Sequence, residues 1–205
     1  MKSGEWQVEG VTRYPKGHNP LGNSFYGYLR VSLRLPDGRP ANYHGVDVGP
    51  CVHTVAVADD ETTFLVRQRR PNAMQIGDWA VPRLLELPGG FADMKDEHGN
   101  VDLPASAAEE LGTEAGVVAG YLTQIGQIFP SPGISNEVDT IFLGTEVRGI
   151  DELTARAEAT EADMEIVTGK FGDLYMELLT GASEQPVSAQ AIAAMAMAAH
   201  VLSGK

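Results

Sequence analysis

The sequence predicts a mixed α/β protein in which a small antiparallel β appendage precedes a larger domain of strands and helices. Three observations support this prediction: an alternating apolar stretch at residues 29–35, an acidic helix after a Pro-Gly-Gly turn, and an alanine-rich helix near residue 190. With 205 residues, of which 43% are hydrophobic, the chain suits one domain with an appendage or two small domains. We therefore expect an appendage over residues 1–48 and the main domain over residues 49–205.

The appendage is predicted from period-two alternation. Leucine and valine alternate with polar residues over residues 29–35, which indicates a half-buried strand, and Pro36-Asp37-Gly38 stops it. Residues 41–48 complete a predicted hairpin. The appendage also carries a cluster of aromatic residues, namely Trp6, Tyr14, Phe25, Tyr26 and Tyr28. It either pairs with a second subunit or packs on its own domain.

A second hairpin is predicted at residues 52–58 and 63–66, around the polar stretch Asp59-Asp60-Glu61-Thr62. Residues 71–83 contain two prolines and are predicted to form an extended loop with Trp79 as its anchor. The remaining predicted elements are strands at 84–87, 124–129, 138–143 and 165–167, an acidic helix or loop at 151–163, and helices at 173–179 and 188–202.

A helix is predicted after the polar loop of residues 91–101, which we expect to be exposed. Asp102 suits its N-cap, Pro104 suits its first turn, and Gly116 suits its end. Glu110 and Glu114 are four residues apart and therefore share one helical face. Two like charges at this spacing destabilise a bare helix, whereas a divalent cation bound between them would stabilise it. Oxygen ligands of this kind suit Mg²⁺ or Mn²⁺, although the pattern is also that of a solvated acidic face.

The same segment resembles the Nudix box, whose pattern is G-x5-E-x7-R-E-U-x-E-E-x-G-U, with U a bulky aliphatic residue. Matching positions are Gly90, Glu110, Leu111, Glu114, Gly116 and Val117. Glu109 stands where the family has arginine, and Thr113 stands where it has the first glutamate of a pair. The loop after Gly90 is five residues longer than the pattern, so Asp96, Glu97 and Asp102 compete for the role of the loop glutamate.

Flanking motifs resemble those of ADP-ribose pyrophosphatases within this superfamily. Val66-Arg67-Gln68-Arg69-Arg70 resembles their vrQyR strand end, and Glu86-Leu87-Pro88-Gly89-Gly90 resembles their ElPaG turn. Ser131-Pro132-Gly133-Ile134-Ser135-Asn136-Glu137 resembles their SPG-x-S-x-E loop. The motifs come in the family's order and cover about residues 50–145. The resemblance implies a Nudix α/β/α sandwich around a mixed sheet, and a homodimer formed through residues 1–48.

The resemblance also implies an activity, which is hydrolysis of a nucleoside diphosphate linked to another group. ADP-ribose or a related nucleotide sugar would yield AMP and a sugar phosphate, with Mg²⁺ or Mn²⁺ as cofactor. Gly90, Glu110 and Glu114 would hold the metal, and Glu110 would be catalytic. In this group the general base comes from a loop before the C-terminal helices. Glu161 is the first choice here, and Asp163 and Glu165 are alternatives.

Substrate contacts are expected from the motifs that flank the box. The expected substrate-binding residues are Arg67, Arg69, Arg70, Glu86, Pro132, Gly133 and Glu137. Arginine suits bidentate phosphate recognition, although the three arginines also suit a charged strand end beside Pro71. The substitutions at Glu109 and Thr113 leave open a slow or re-specialised hydrolase and a non-catalytic nucleotide-binding module. An isomerase-like Nudix branch fits the flanking motifs less well.

Composition excludes several other classes. The formal net charge of -13 argues against nucleic acid, which needs a basic surface. No run reaches the roughly 18 apolar residues of a membrane span, and we expect no secretory signal. The single cysteine, Cys51, cannot form an intrachain disulfide and is predicted to be a small buried hydrophobe. The reducing cytoplasm is the expected compartment.

Overall fold

The computed structural model describes residues 6–14, 26–73, 81–150, 163–183 and 186–204. Phe25, Trp79 and Glu161 lie outside these ranges, as does most of the acidic segment at 151–163. The chain divides into two compact units: a first unit of residues 1–50 and 129–138, and a second unit of residues 51–128 and 139–205. The boundary predicted at residue 48 and the role of the appendage in dimerisation stay predictions.

The first unit is built on a three-stranded antiparallel sheet in the order β1-β2-β3. Its strands are β1 (Gln7–Tyr14), β2 (Gly27–Arg34) and β3 (Pro40–Asp47). The predicted hairpin is confirmed, because β2 pairs with β3 from Gly27↔Asp47 to Arg34↔Pro40.

The segment at residues 129–138 is tied to β3 by several hydrogen bonds. Val46 N donates to Ile134 O at 2.8 Å. The Asn136 side chain accepts from Val48 N at 2.9 Å and donates to Asp47 at 2.6 Å. These bonds make the segment part of the first unit.

The described part of the second unit contains three further sheets and three helices. One sheet has the order β7-β4-β10-β9, another has the order β12-β5-β6, and β11 pairs with β8. The strands are β4 (Pro50–Ala56), β5 (Thr62–Arg69), β6 (Arg83–Glu86), β7 (Gly89–Phe91), β8 (Val117–Val118), β9 (Tyr121–Ile128), β10 (Val138–Thr145), β11 (Arg148–Gly149) and β12 (Glu165–Lys170). The helices are α1 (Leu103–Ala115), α2 (Phe171–Thr180) and α3 (Ala189–Leu202), and a short 3-10 turn spans Pro71–Ala73.

The predicted hairpin at residues 52–66 is wrong in one respect. β4 and β5 are joined by a tight turn, but they meet only at the isolated bridge Val57↔Thr63 and then enter different sheets. Val57 N instead donates to Gly144 O at 2.9 Å, so the pairing passes to β10. Local apolar runs predict strands well, but the partner of a strand depends on distant residues.

Side chains alternate between two cores on opposite faces of the strands. Val55, Leu65 and Ile141 pack with α2 and α3, whereas Val52 and Phe142 pack with residues of α1. Helices therefore cover both faces of the second unit, and the fold class is confirmed as an α/β/α arrangement with a mixed sheet.

The helix ends follow the local signals in the sequence. Asp102 accepts a hydrogen bond from Ala105 N at 3.0 Å as the N-cap of α1, and Gly116 ends that helix at φ 65°. Ser188 caps α3 in the same way, and Gly181 ends α2 in the left-handed conformation. Within the described ranges, the helices are all too short or too polar to cross a membrane.

Candidate active site

The Gly89–Gly90 turn, at the start of β7 after the bend at Pro88, lies against helix α1. β7 is held in place by its pairing with β4, in which Val52 faces Gly90 and His53 faces Gly89. A Cβ atom at Gly90 would lie only 3.0 Å from the Glu110 Cδ atom and would collide with a carboxylate oxygen. Only glycine therefore allows the Glu110 carboxylate to lie directly against this backbone.

Glu114 reaches the same turn from one helical turn further along α1. Its carboxylate accepts a hydrogen bond from Gly89 N at 2.7 Å, and the residue is only 4% exposed. The spacing of four residues puts Glu110 and Glu114 on one face of α1, and packing against β7 brings that face to the turn. The structure thus brings together the three residues predicted to hold a metal.

These residues fit Mg²⁺ or Mn²⁺ by their chemistry. Two carboxylates and the carbonyl of Gly90 are hard oxygen donors, which these cations prefer. The space that a Cβ would fill at Gly90 is taken by the Glu110 carboxylate, so the donors lie close together. Gly90, Glu110 and Glu114 would hold the ion.

The two departures from the box point away from this cluster. The Thr113 hydroxyl donates to the carbonyl of Glu109 at 3.0 Å and lies 3.3 Å from that of Glu110. Serine and threonine side chains in helices often form such a bond, which holds the hydroxyl against the backbone of its own helix. Glu109 is exposed. Neither residue supplies what the family pattern has at its position.

The three candidates for the loop glutamate have different surroundings. Asp96 accepts from the backbone and side chain of Asn100 and from His98 N, and the Asn100 hydrogen bonds lower the pKa of the Asp96 carboxyl. Asp102 is the N-cap of α1. Glu97 is exposed and lies 3.4 Å from the His98 ring. Asp96 and Asp102 thus organise the loop and the helix, and the assignment of a loop ligand stays a prediction.

The predicted phosphate-binding arginines are engaged with carboxylates on neighbouring strands. Arg70 Nε lies 2.8 Å from Glu86 Oε2, so two predicted substrate contacts form an ion pair with each other. Arg69 Nε lies 2.7 Å from Asp163 Oδ2, and Arg67 Nη1 lies 3.4 Å from Glu165 Oε2.

Arg83 joins the ion pairs of Arg67 and Arg69 into one cluster. Its two terminal nitrogens donate to Glu165 Oε1 at 2.8 Å and to the Asp163 carbonyl at 2.6 Å. Three arginines and two carboxylates meet here, because β5 lies between β12 and β6. We call Arg67, Arg69, Arg83, Asp163 and Glu165 the arginine cluster.

The candidates for the general base are therefore not equivalent. The first choice, Glu161, lies outside the described residues. The alternatives Asp163 and Glu165 belong to the arginine cluster, and the hydrogen bond from Arg83 lowers the pKa of Glu165. A carboxylate with a lowered pKa is a weaker proton acceptor.

The predicted contacts at Pro132, Gly133 and Glu137 belong to the segment at residues 129–138. Pro132 and Gly133 line a pocket of about 390 Å³ within the first unit, together with side chains of β2 and β3 that include Tyr43. Glu137 is half-buried and directly precedes β10.

Comparison with known proteins gives two relatives and one solved structure. No family model matches the chain. It is 28% identical over 121 residues to a Bacillus subtilis (strain 168) protein named ADP-ribose pyrophosphatase, covering 58% of each chain. It is 28% identical over 141 residues to a protein of the same name from Mycobacterium tuberculosis (strain ATCC 25618 / H37Rv), covering 69% of this chain and 62% of the relative. The match spans less than two thirds of either relative's length.

A solved structure titled "Crystal structure of ADP compounds hydrolase" matches all of this chain and 98% of its own, with a TM-score of 0.65 and 17% sequence identity. The chain has the Nudix fold. The two relatives confirm the resemblance to ADP-ribose pyrophosphatases. The segment that resembles the Nudix box comprises the last residues of β7, the long loop and α1.

The sequence analysis did not predict a role for three polar residues of the second unit, namely Arg83, His53 and Asp139. Arg83 is the centre of the arginine cluster, and the half-buried His53 on β4 pairs with the buried Asp139 on β10. A charged residue within an apolar strand was the available signal for Asp139, which precedes Ile141, Phe142 and Leu143. Arg83 carried no comparable signal because it stands at the first position of a strand.

Proposed function

We propose that this chain is a divalent-cation-dependent hydrolase of nucleoside diphosphates linked to a second group, with ADP-ribose or a related nucleotide sugar as substrate. AMP and a sugar phosphate would be the products. The observation that carries the proposal is the meeting of Glu110 and Glu114 at the Gly89–Gly90 turn. The two relatives named ADP-ribose pyrophosphatase support the substrate class.

Glu110 and Glu114 would have different roles in holding the cation. Bound Mg²⁺ or Mn²⁺ would neutralise diphosphate charge and acidify the attacking water. Glu110 lies against the Gly90 backbone and would be the central ligand. The Gly89 N–H donates to the Glu114 carboxylate at 2.7 Å and orients it toward the turn, where it would be a second ligand.

Substrate recognition would use the charged and apolar groups on either side of the box. Arg70 is 46% exposed in its pair with Glu86, so it is available to a phosphate. The pocket lined by Pro132 and Gly133 suits a planar apolar group such as a nucleoside base. Glu137 would add a hydrogen-bond acceptor.

The general base would be Glu161, because Asp163 and Glu165 are held by arginines. Glu110 and Glu114, as ligands of the cation, would be poor proton acceptors.

The decisive experiment is product analysis with ADP-ribose, NADH, nucleotide sugars and dinucleoside polyphosphates, each with Mg²⁺ and with Mn²⁺. Glu110→Gln should lower the rate by at least ~100-fold while leaving the fold intact, because it removes a charged oxygen ligand. Glu109→Gln is the matched control on the exposed side of α1 and should keep the rate. A robust rate in excess EDTA would contradict the metal mechanism.

A second candidate function is a non-catalytic nucleotide-binding module. The observation that favours it is the Thr113 hydroxyl, which is bonded to helix carbonyls where the box pattern has a carboxylate. In that case the chain would bind AMP or ADP-ribose in a calorimetric titration but release no product from any of these substrates.

We also propose a homodimer formed through the first unit. Val8 and Val11 of the edge strand β1 are 65% and 54% exposed, which is unusual for two valines on one sheet edge. Sedimentation of the intact protein at micromolar concentration should therefore show a dimer. Val8→Glu with Val11→Glu should shift it toward monomer, whereas Val118→Glu in the second unit should not. A monomeric intact protein would contradict this proposal.

The proposed compartment is the cytoplasm. Cys51, the single cysteine, is buried, and the chain has no second cysteine with which to form an intrachain disulfide.

A further inference from the structure

Asp139 and His53 form a polar pair in the interior of the second unit. Asp139 is 0% exposed, and neither of its carboxylate oxygens has a hydrogen-bond partner among the described residues. Its Oδ2 atom lies 3.4 Å from His53 Nε2. Burial removes the hydration of a carboxylate, and buried polar atoms that lack hydrogen bonds are rare in folded proteins. A pair of this kind therefore calls for a role beyond stability.

The His53 ring reaches both neighbours of its strand. β4 lies between β7 and β10 in the sheet, and His53 faces Gly89 of β7 in the strand register. One end of the ring, Nε2, is close to Asp139 of β10. The other end, Nδ1, is so near Gly89 that a Cβ atom at that position would lie 2.5 Å from it. The ring thus lies between the Asp139 carboxylate and the Gly89 backbone.

Gly89 is contacted from two sides. A Cβ atom at this position would also collide with the Val52 carbonyl oxygen, so only glycine allows β4 and the His53 ring to approach so closely. The Gly89 N–H donates to the Glu114 carboxylate of α1 at 2.7 Å. The position of Gly89 against β4 therefore sets the direction of the N–H that Glu114 accepts.

We propose that His53 is a positioning residue for Glu114 and that Asp139 fixes the orientation of the His53 ring. Contacts run from Asp139 through His53 and Gly89 to Glu114, and all four residues belong to the second unit. Removal of the ring would open space beside Gly89 and loosen its hydrogen bond to Glu114. The consequence for metal binding rests on the proposed function, whereas the placement of Glu114 does not.

The first test is the amide proton of Gly89 in an NMR spectrum of the metal-free, full-length protein. Hydrogen bonding to Glu114 should give this proton a downfield resonance and slow exchange with solvent. His53→Ala should move the resonance upfield and speed the exchange. His53→Gln should preserve more of both properties, because its amide N–H can replace the ring N–H toward Asp139.

The second test is the affinity for Mn²⁺ in a calorimetric titration. Removing a group that orients a metal ligand typically costs about 10–100-fold in metal affinity, so His53→Ala should weaken Mn²⁺ binding by that factor. Asp139→Asn should weaken it as well. The double variant should bind no more weakly than His53→Ala alone, because Asp139 acts through the ring.

Val55→Ala is the control for a general loss of packing. Val55 lies on the same strand and is fully buried against α2 and α3, so its truncation should lower Tm. It should leave the Gly89 resonance and the Mn²⁺ affinity unchanged, because Val55 belongs to a different part of the core.

An unchanged Gly89 resonance in His53→Ala would overturn the proposal, as would an equal shift in Val55→Ala. Unchanged Mn²⁺ affinity in His53→Ala, in a protein whose Glu110→Gln variant no longer binds Mn²⁺, would overturn the role of His53 at the metal site. If the unaltered protein binds no Mn²⁺ but the resonance still moves, the proposed hydrolase function fails and the positioning of Glu114 by His53 stands.

Discussion

Two groups of carboxylates in the second unit are held by different donors. Glu114 of α1 accepts a backbone N–H from Gly89, and Glu110 lies against the Gly90 backbone. Asp163 and Glu165, by contrast, accept hydrogen bonds from arginine side chains. A neutral N–H orients a carboxylate and leaves its charge in place, whereas a guanidinium cancels that charge.

We propose that the carboxylates of α1 bind a cation and that those of the arginine cluster are structural. The acids of α1 meet at the Gly89–Gly90 turn, where the divalent ion would bind. The acids of the arginine cluster anchor β12 to β5 and β6, at the point where the segment at residues 151–162 ends. Their loss should therefore affect the attachment of β12 to the sheet more than the chemistry.

The largest expected effect on kcat is at Glu161, the proposed general base. The comparison between the two groups of carboxylates would fail if the base were instead Asp163 or Glu165 of the arginine cluster. Glu161→Gln should lower kcat by about 10²–10⁴-fold with little change in metal affinity or KM, the range for loss of a general base. Asp163→Asn and Glu165→Gln are the matched controls and should keep kcat within about tenfold. If all three variants keep near-normal kcat, the base lies elsewhere, and Glu137 is the next candidate.

A smaller effect on activity is expected at Thr113, where the box pattern has a glutamate. Its substitution tests whether the proposed metal site lacks that carboxylate. Thr113→Glu should tighten Mg²⁺ binding and raise activity at low Mg²⁺, because a charged oxygen replaces a hydroxyl bonded to the helix backbone. Thr113→Gln is the uncharged control of similar size. Weaker Mg²⁺ binding by Thr113→Glu in a calorimetric titration would mean that the loop at residues 91–101 already supplies the third carboxylate.

The smallest expected effect is a change in the pKa of Glu165 when Arg83 of the arginine cluster is replaced. The hydrogen bond from Arg83 lowers the pKa of Glu165, so this pair stabilises the fold above the unfolded-state pKa of the carboxyl, and the stabilisation is lost as pH falls through the lower folded value. Arg83→Gln should raise the Glu165 pKa toward its ordinary value in an NMR titration. Arg148→Gln, at an exposed arginine 3.9 Å from Glu146, should leave the Glu165 pKa unchanged.

Many local features of the fold were predictable because they depend on neighbouring residues. Asp102 and Gly116 bound α1 as expected, since capping needs only a side chain within three residues or a left-handed glycine. The hairpin of β2 and β3 followed from alternation and a turn. The Glu110–Glu114 face followed from helical geometry alone.

Other features were decided only by the tertiary structure, because they join residues that are distant in the sequence. β4 and β5 have the local sequence pattern of a hairpin. They nevertheless lie in separate sheets, because β4 is the neighbour of β10 and β5 is the neighbour of β12. Arg69 meets Asp163 across 94 residues, and His53 meets Asp139 across two neighbouring strands. By itself the sequence determined which residues could carry charge to a metal or a phosphate. Packing decided which of those charged groups lie against backbone, arginine or a half-buried histidine, because strand order sets the neighbours of each side chain.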